Sequence, residues 1–367
     1  MACSRALRFI PVGKVLFKLF IPRRPCVAVF DFLLLLGICL LYLQQPLALV
    51  PPEDTSPVTL LIWSHPFGHH CELPDCLELY RIGGCTLSDD RSSYPQADAV
   101  IVHHRDVATG TALPAEPRPR AQKWIWMNYE SPTNTPGLWH FEDIFNLTLT
   151  YRTDSHIFLP YGYLVPRKLR AEGVLGGAAH PLRAPSRLLR PRLLAWVISN
   201  WSENNARVAF YYQLRRYLPV DVFGRAGRPL PKERGGGVVQ LVRQYQFYLA
   251  LENSQHTDYI TEKLWNSVLA GAVPVVLGPS RKNYERFLPP EAFIHVDDFH
   301  TVRELARYLL MLRRSPGLLR HHLAWRGSYS VHQPTFWAEH YCTACRAVRR
   351  ARGTTNVVQH LERWFHS

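Results

Sequence analysis

Lys263 follows Glu262 at the start of a run with helical spacing, Ile260, Leu264 and Val268, with Leu269 beside them. A cation at a helix start stands beside free backbone N–H groups and the positive end of the helix dipole, which favour an anion. The polar turn 253–258, with Asn253 at its head and Tyr259 just after it, precedes that helix directly. A diphosphate would suit this site. Arg207, in SNWSENNARVAFYYQL, lies near another helix start. A guanidinium fork there binds a diphosphate well, or is a solvated helix charge. Ser199 and Asn200 end the apolar run LLAWVIS. Glu130 follows the apolar run WIWM, between Tyr129 and Ser131-Pro132. A carboxylate at such a place can take a proton from a bound hydroxyl. By its neighbours alone, Glu130 reads first as a loop glutamate capping the turn before Pro132.

The elements that must position these groups alternate between strand and helix. Residues 247–251 form an apolar run of strand length, the helical run follows, Gly271 is a natural helix stop, and 273–277 is a second buried strand. That is a βαβ unit, whose parallel strands are normally covered by helices. Its polar turn lies at the carboxyl end of the first strand, where open α/β sheets bind ligands. Upstream, 58–63 (VTLLIW), 97–102 and 124–127 read as strands, and 107–122 as a surface loop rich in Pro, Ala and Arg. The pattern then predicts a strand over 193–199, a helix over 204–217 and a strand over 220–223. Gly235-Gly236-Gly237 marks a loop, and no internal repeat is found. Residues 167–192, with Gly176-Gly177, three prolines and many arginines, read as a linker. This places a domain boundary between 58–185 and 186–367.

The chain has 367 residues, 47% hydrophobic and 12% aromatic, which suits a folded protein of two ordinary domains rather than a disordered one. Its net charge of +14 lies mostly beyond residue 57 and points to anionic partners. No zinc-finger spacing, RNP motif or basic helix favours nucleic acid. Segment 27–43 is apolar except for Asp31, and six basic residues precede it. After it no basic residue occurs until Arg81. The positive-inside rule then predicts a cytoplasmic tail 1–26, a signal-anchor helix 27–43, a short proline-containing stem 44–57 and a body across the membrane. The span is short, which suits a thinner early secretory membrane. Beyond it lie Cys71, Cys76, Cys85, Cys342 and Cys345, in a compartment where disulfides persist. Cys342-Thr-Ala-Cys345 is the one CxxC, too few thiols for a zinc site, and no Asp-x-Asp occurs. No bound metal is expected.

The run ENSQHTDYITEKLWNSVLAGAVPVVLGP closely resembles the donor-binding signature of the α-1,3-fucosyltransferases, and WMNYESPTNTP resembles their acceptor-domain motif. The resemblance extends over roughly 58–367 and is weakest at 107–122 and 167–192. It implies a GT-B fold, two Rossmann-like α/β domains facing across a cleft, with 58–185 on the acceptor side and 186–367 binding GDP-fucose. It implies an inverting transfer of L-fucose from GDP-β-L-fucose in α-1,3 linkage to GlcNAc of type 2 N-acetyllactosamine, making Lewis x and, on sialylated chains, sialyl-Lewis x. Glu130 matches the family's base. Arg207, Lys263, Glu262, Asn253 and Tyr259 match donor-contacting positions, with Ser199 and Asn200 near the nucleotide. Cationic side chains thus take the place of a metal, and no cofactor is implied; manganese is expected at most to stimulate from outside the site.

His103-His104-Arg105-Asp106 resembles the HHR segment of relatives acting on Galβ1-4GlcNAc. Tyr161 and Trp325 match acceptor-side aromatics, though either could be core. The family's W-x-W-P-F appears here as Trp63-Ser64-His65-Pro66-Phe67, so His65 replaces an aromatic. By the same resemblance Cys76 pairs with Cys85 and Cys342 with Cys345, leaving Cys71 odd. Of the sequons at Asn146 and Asn200, the first is expected to carry a glycan, because one on Asn200 would block the donor cleft. The stretches KLWNSVLAGAVPVVLGP, HLAWRGSYSVH and GYLVPR are similar to the myeloid-type branch. The implied setting is the Golgi membrane, single-pass with the body lumenal, with glycoprotein and glycolipid glycans as partners; a homodimer is left open. Two alternatives also remain open: core α-1,3-fucosylation, and a non-catalytic, membrane-anchored glycan-binding protein of the same fold.

Overall fold

The computed structural model describes residues 55–70, 72–167, 190–230 and 237–367. The expected tail 1–26, signal-anchor 27–43, most of the stem, Cys71 and the 185/186 boundary lie outside these residues. Among the described residues no helix is long and apolar enough to cross a membrane.

Apolar, β-branched runs bounded by turns give the first sheet: β1 (Val58–Ile62), β2 (Cys85–Ser88), β3 (Ala99–His103), β4 (Lys123–Asn128), β5 (Leu147–Thr150) and β6 (Ile157–Phe158). Its order is β2-β1-β3-β4-β5-β6 and every pairing is parallel. β7 (Tyr163–Pro166) leaves this sheet. A second parallel sheet follows from β8 (Arg192–Val197), β9 (Asp221–Phe223), β10 (Tyr245–Leu251), β11 (Val273–Leu277) and β12 (Ile294–His295), in the order β9-β8-β10-β11-β12. All residues of β4, β10 and β11 are buried, as expected of strands covered on both faces. β13 (Tyr329–His332) returns to pair antiparallel with β7, joining the two halves.

In each sheet the strand order reverses once, between β1 and β3 and between β8 and β10. Ligands of such sheets bind at the carboxyl ends flanking the reversal. Residues 63–67 and 103–105 stand at the first reversal; 198–200 and 252–254 stand at the second. Glu130 follows the neighbouring β4.

The elements expected at 58–63, 97–102, 124–127, 193–199, 204–217, 220–223 and 247–277 are all present, with ends shifted by up to three residues. Two expectations fail. The last thirty or so residues do not stay with the second sheet. The helix Ala338–Arg350 buries Tyr341, Cys342, Ala344, Cys345, Ala347 and Val348 in the same core as β1, β3 and β4, and Phe365 lies 4.9 Å from Trp126, ring to ring. Helical periodicity reveals an apolar stripe but not which sheet will cover it.

The disulfides are likewise re-paired: Cys76 bonds Cys342 and Cys85 bonds Cys345, with Cα–Cα distances of 5.3 and 5.9 Å. Cys342 and Cys345 lie inside one helix. At that spacing helical Cβ atoms are about 5–6 Å apart, whereas a disulfide needs roughly 3.5–4.5 Å. The helix instead offers both thiols on one face, to Cys76 at the start of a short helix and Cys85 at the start of β2.

Candidate active site

On the donor side, β10 ends at Leu251 and delivers Glu252 into the interior, 2% exposed. Its carboxylate accepts from Thr261 N (2.8 Å) and Thr261 Oγ1, and pairs with Lys263 Nζ at 3.0 Å. Lys263 also donates to Thr261 Oγ1 (2.7 Å) and Glu262 Oε1 (3.1 Å). Burial works against the Lys263 charge, but the Glu252 and Glu262 carboxylates outweigh it and hold the ammonium above lysine's usual range. Lys263 is therefore a held cation rather than a free one. Glu252 was not singled out by the sequence reading, although it directly precedes Asn253. A carboxylate after a buried strand, with a lysine eleven residues on at a helix start, was the available signal. Gly278 keeps this place open: a Cβ there would meet Tyr284 Oη at 2.4 Å and Glu252 Cγ at 3.2 Å.

Arg207 lies in the first turn of the helix Ala206–Leu214, only 4% exposed. Its Nη2 donates to the Asn200 carbonyl at 2.6 Å, while its Nε finds no hydrogen-bond partner. Burial lowers its pKa, with Glu252, Tyr259 and Glu262 pulling it back up, so Arg207 belongs to the same electrostatic cluster as Lys263. Ser199 and Asn200 are exposed at the end of β8 and Asn253 is half-buried past β10, as the sheet reversal requires. Against the helix Ala206–Leu214 opens a cavity of about 740 Å³ lined by Ala206, Phe210, Leu277, Val296, Asp297 and His300, but not by Arg207 or Lys263. It sits past the carboxyl ends of β11 and β12 and falls within the size range of small-molecule sites.

On the other side, Glu130 leaves β4 half-buried between the buried Tyr129 and Ser131. Its backbone N–H donates to Asn128 Oδ1 (3.1 Å) and its carbonyl accepts from Tyr151 Oη (3.3 Å), which aims the carboxylate outward. Its surroundings are not apolar throughout: Arg105 Nη1 stands 3.8 Å from Glu130 Oε1. Arg105 also lies over the Phe67 ring at 5.0 Å.

The remaining acceptor-side expectations divide. Arg105 is exposed, but His103 and His104 are 1% and 3% exposed and cannot touch a sugar. His103 Nδ1 bonds Asp106 Oδ2 at 2.9 Å. His104 Nδ1 accepts from Trp126 Nε1 at 3.2 Å, and burial lowers its pKa to about 4. An alternating strand end followed by a helical turn turns these two inward and leaves only the third residue facing out. Trp325, 5% exposed, is core of the second sheet, packed among Leu264, Trp265 and Phe293. Tyr161 is half-buried, donates to the Tyr129 carbonyl and packs on Tyr129, Tyr151 and Phe336, so it is a strut under the cleft.

Tyr259 closes the link between the sides. It is 4% exposed, 5.2 Å from the Tyr151 ring, and its pKa is pushed well above the usual value by burial first, then by Glu252 and Glu130. Polar bonds tie the same rims: Ser254 Oγ donates to Ser131 Oγ (2.7 Å), Thr133 Oγ1 meets His256 Nε2 (2.6 Å), and Asp258 Oδ2 accepts from Thr153 N and Oγ1 (2.9 and 2.8 Å). Asn146 is half-buried; its Nδ2 donates to the Asn356 carbonyl at 2.9 Å.

Two family models match the chain: "Fucosyltransferase, N-terminal" over residues 55–162 and "Glycosyltransferase family 10 (fucosyltransferase) C-term" over 188–364. The chain is 45% identical over 366 residues to alpha-(1,3)-fucosyltransferase 4 of Homo sapiens, covering 87% of this chain and 66% of that protein. It is 44% identical to the Bos taurus protein of the same name, covering 87% and 88%. With 4-galactosyl-N-acetylglucosaminide 3-alpha-L-fucosyltransferase 9 of Rattus norvegicus it shares 42% identity, covering 84% and 82%. A crystal structure of an alpha1,3-fucosyltransferase with GDP-fucose shares the fold at a TM-score of 0.51 and 15% identity, over 84% of this chain and 94% of that one. The two sheets with reversals turned to one cleft are a GT-B-like arrangement, and the chain belongs to glycosyltransferase family 10, the fucosyltransferases.

Proposed function

We propose that the chain transfers L-fucose from GDP-β-L-fucose, with inversion, to the 3-hydroxyl of GlcNAc in type 2 N-acetyllactosamine, giving Lewis x and, from sialylated chains, sialyl-Lewis x. One observation carries this reading. The carboxylate Glu130 and the cations Lys263 and Arg207 stand past the carboxyl ends of two separate parallel sheets, and bonds such as Ser254 to Ser131 tie their rims.

The chemistry follows from that placement. Glu130 takes the acceptor hydroxyl proton as its oxygen attacks the fucosyl anomeric carbon from the face opposite the diphosphate. The bond from that carbon to the β-phosphate oxygen breaks, and the electron pair leaves with GDP. Arg207 and Lys263 meet the charge that develops there. Lys263 exchanges Glu262, whose side chain is 51% exposed, for the diphosphate, while the buried Glu252 keeps hold of it. Arg105, beside Glu130, restrains the carboxylate and lines the acceptor rim. Fixing both substrates in line supplies much of the acceleration. No metal is assigned a step. The enzyme is placed in the Golgi membrane with its body lumenal.

Full-length protein in detergent, given GDP-fucose with Galβ1-4GlcNAc, its sialylated form and Galβ1-3GlcNAc, with EDTA present, tests the reading. Transfer to Galβ1-4GlcNAc is expected. Glu130→Gln should lower kcat at least about a hundredfold while leaving GDP affinity unchanged. Undiminished turnover in that variant would remove Glu130 as the base.

A further inference from the structure

His65, His70 and Asp89 converge at the first sheet's reversal, on the side away from Glu130. His65 Nε2 lies 2.9 Å and His70 Nε2 2.8 Å from the same oxygen, Asp89 Oδ2, and the donor atoms all lie within 4.8 Å of one another. The imidazole rings are 4.5 Å apart. The turn between them makes this possible. Phe67 and Gly68 both adopt positive φ, 61° and 68°, and reverse the chain so that His70 comes back beside His65. Phe67 is held in that conformation: its N–H donates to Asp106 Oδ1 at 3.2 Å and its ring packs on His103 and under Arg105. The His65 side chain is 12% exposed and fixed; that of His70, at 75%, is open to solvent.

We propose that His65, His70 and Asp89 form a three-ligand site for a divalent transition metal of the zinc class. Two imidazole nitrogens and one carboxylate oxygen are a ligand set such ions take, leaving one position open to water. Tetrahedral ligands about 2.0–2.1 Å from zinc stand roughly 3.3–3.4 Å from one another. The two imidazole–carboxylate separations, 2.9 and 2.8 Å, need to open by only about 0.5 Å, and the two imidazole nitrogens already lie within 4.8 Å of each other, with the exposed His70 free to adjust. Magnesium, which prefers six oxygen ligands, does not fit. Cysteine spacing and the search for Asp-x-Asp could not reveal this site, because its ligands come from a turn after β1 and the end of β2.

The three ligands take no part in the proposed transfer step, and the test needs neither donor nor acceptor. Full-length protein in detergent is titrated with Zn2+ against a chromophoric chelator, and separately with Co2+, read by its visible absorption. One equivalent of Zn2+ is expected to bind in wild type, with tetrahedral-type Co2+ bands. His70→Ala and Asp89→Asn should each weaken Zn2+ binding at least about tenfold and abolish those bands, with unchanged melting in the absence of metal. A large excess of Mg2+ should displace nothing. Equal Zn2+ affinity in wild type and in both variants would overturn the proposal and leave a pair of imidazole–carboxylate hydrogen bonds. Displacement by Mg2+ would overturn the metal class.

Discussion

Replacing Lys263 with methionine tests whether this residue is a structural partner of Glu252 as well as a ligand for the donor. The ammonium stands 3.0 Å from Glu252 Oε2 and its side chain is 17% exposed. Two unit charges at that distance attract by about 5–6 kcal/mol at an effective dielectric constant near 20. Desolvation of both ions offsets much of this, so an intact pair adds little; removing one partner is the costly step, at about 3–5 kcal/mol. In Lys263→Met the Glu252 carboxylate keeps only its Thr261 bonds, in a place where burial already pushes its pKa up. It escapes part of the cost by taking a proton, which sets the expected loss near the lower limit, about 3 kcal/mol. Unfolding entropy of about 2.1 cal/mol/K per residue, over a body of roughly 310 residues, converts this into a fall of about 5 °C in Tm.

The double variant Lys263→Met, Glu252→Gln makes the test specific. With both charges gone, the introduced amide retains Thr261 as a partner and no buried ion is left, so about half or more of the loss should return. GDP binding should not return, because the cation proposed to meet the diphosphate is still missing. Differential scanning fluorimetry gives the first quantity and titration calorimetry the second. A Lys263→Met protein melting within about 1 °C of wild type would refute the buried-pair argument. A double variant that regains GDP affinity would refute the assignment of Lys263 to the donor.

Non-reducing peptide mapping should find Cys76 joined to Cys342 and Cys85 to Cys345; a Cys76–Cys85 peptide would overturn the observed pairing. Replacing both Cys76 and Cys342 with serine opens a link across 266 residues and should cost about 2–5 kcal/mol by thermal melting. Acid should weaken the fold through two buried imidazoles. His104 and His340, 3% and 0% exposed, have pKa values lowered by burial to about 4 and about 3. Both lie below the unfolded value of about 6.5, so their contribution is full above about pH 6.5 and lost as pH falls towards about 4 and 3. By about pH 5 each removes on the order of 2 kcal/mol. His340→Phe should flatten the fall of Tm between about pH 6.5 and 5, and an unchanged slope would exclude His340 as a source. Glycopeptide analysis should find a glycan on Asn146 and none on Asn200. N-linkage consumes one of the two Nδ2 hydrogens, so the other can keep the bond to Asn356, whereas a glycan on Asn200 in active enzyme would contradict the donor cleft.

Strands and the donor helix were legible because their signals are local. β10 and β11 are apolar at almost every position of strand length, and the helix after Thr261 carries its own spacing and its glycine stop. The positions of Glu130 and Asn253 just past strand ends, and of Lys263 at a helix start, were legible for the same reason, whereas the roles given to them came from the family resemblance. Direction and partnership were not legible. His103, His104 and Arg105 are consecutive, yet only Arg105 faces out, because a strand runs directly into a helical turn there. Trp325 has the composition of a sugar platform and is buried by a sheet far away in sequence. The two cysteines of the CxxC look made for each other until the helix holds their Cβ atoms too far apart. Glu252 was hidden by being ordinary, a carboxylate whose meaning comes only from its burial beside Lys263.

What remains is how a carboxylate on one sheet is held in register with cations on another. The proposed in-line displacement would tolerate little misplacement, since an error of about 1 Å can cost two orders of magnitude in rate. Neither sheet can impose that register alone. The contacts that do are few and unlike one another. Asp258, in left-handed conformation at φ 62°, turns its carboxylate so that one oxygen takes both bonds from Thr153 of the first half and the other takes Asn283 and Arg286 of the second. Gly162 lets the chain after Tyr161 lie flat on Trp265, where a Cβ would stand 2.4 Å from the ring. The final helices then return to the first sheet and are fastened there by both disulfides. The turn at Asp258 and the long return of the chain are thus the conditions under which the proposed roles of Glu130 and Lys263 can meet on one molecule; Asp258 lies within the donor-binding run itself, and the returning helices lie far beyond it.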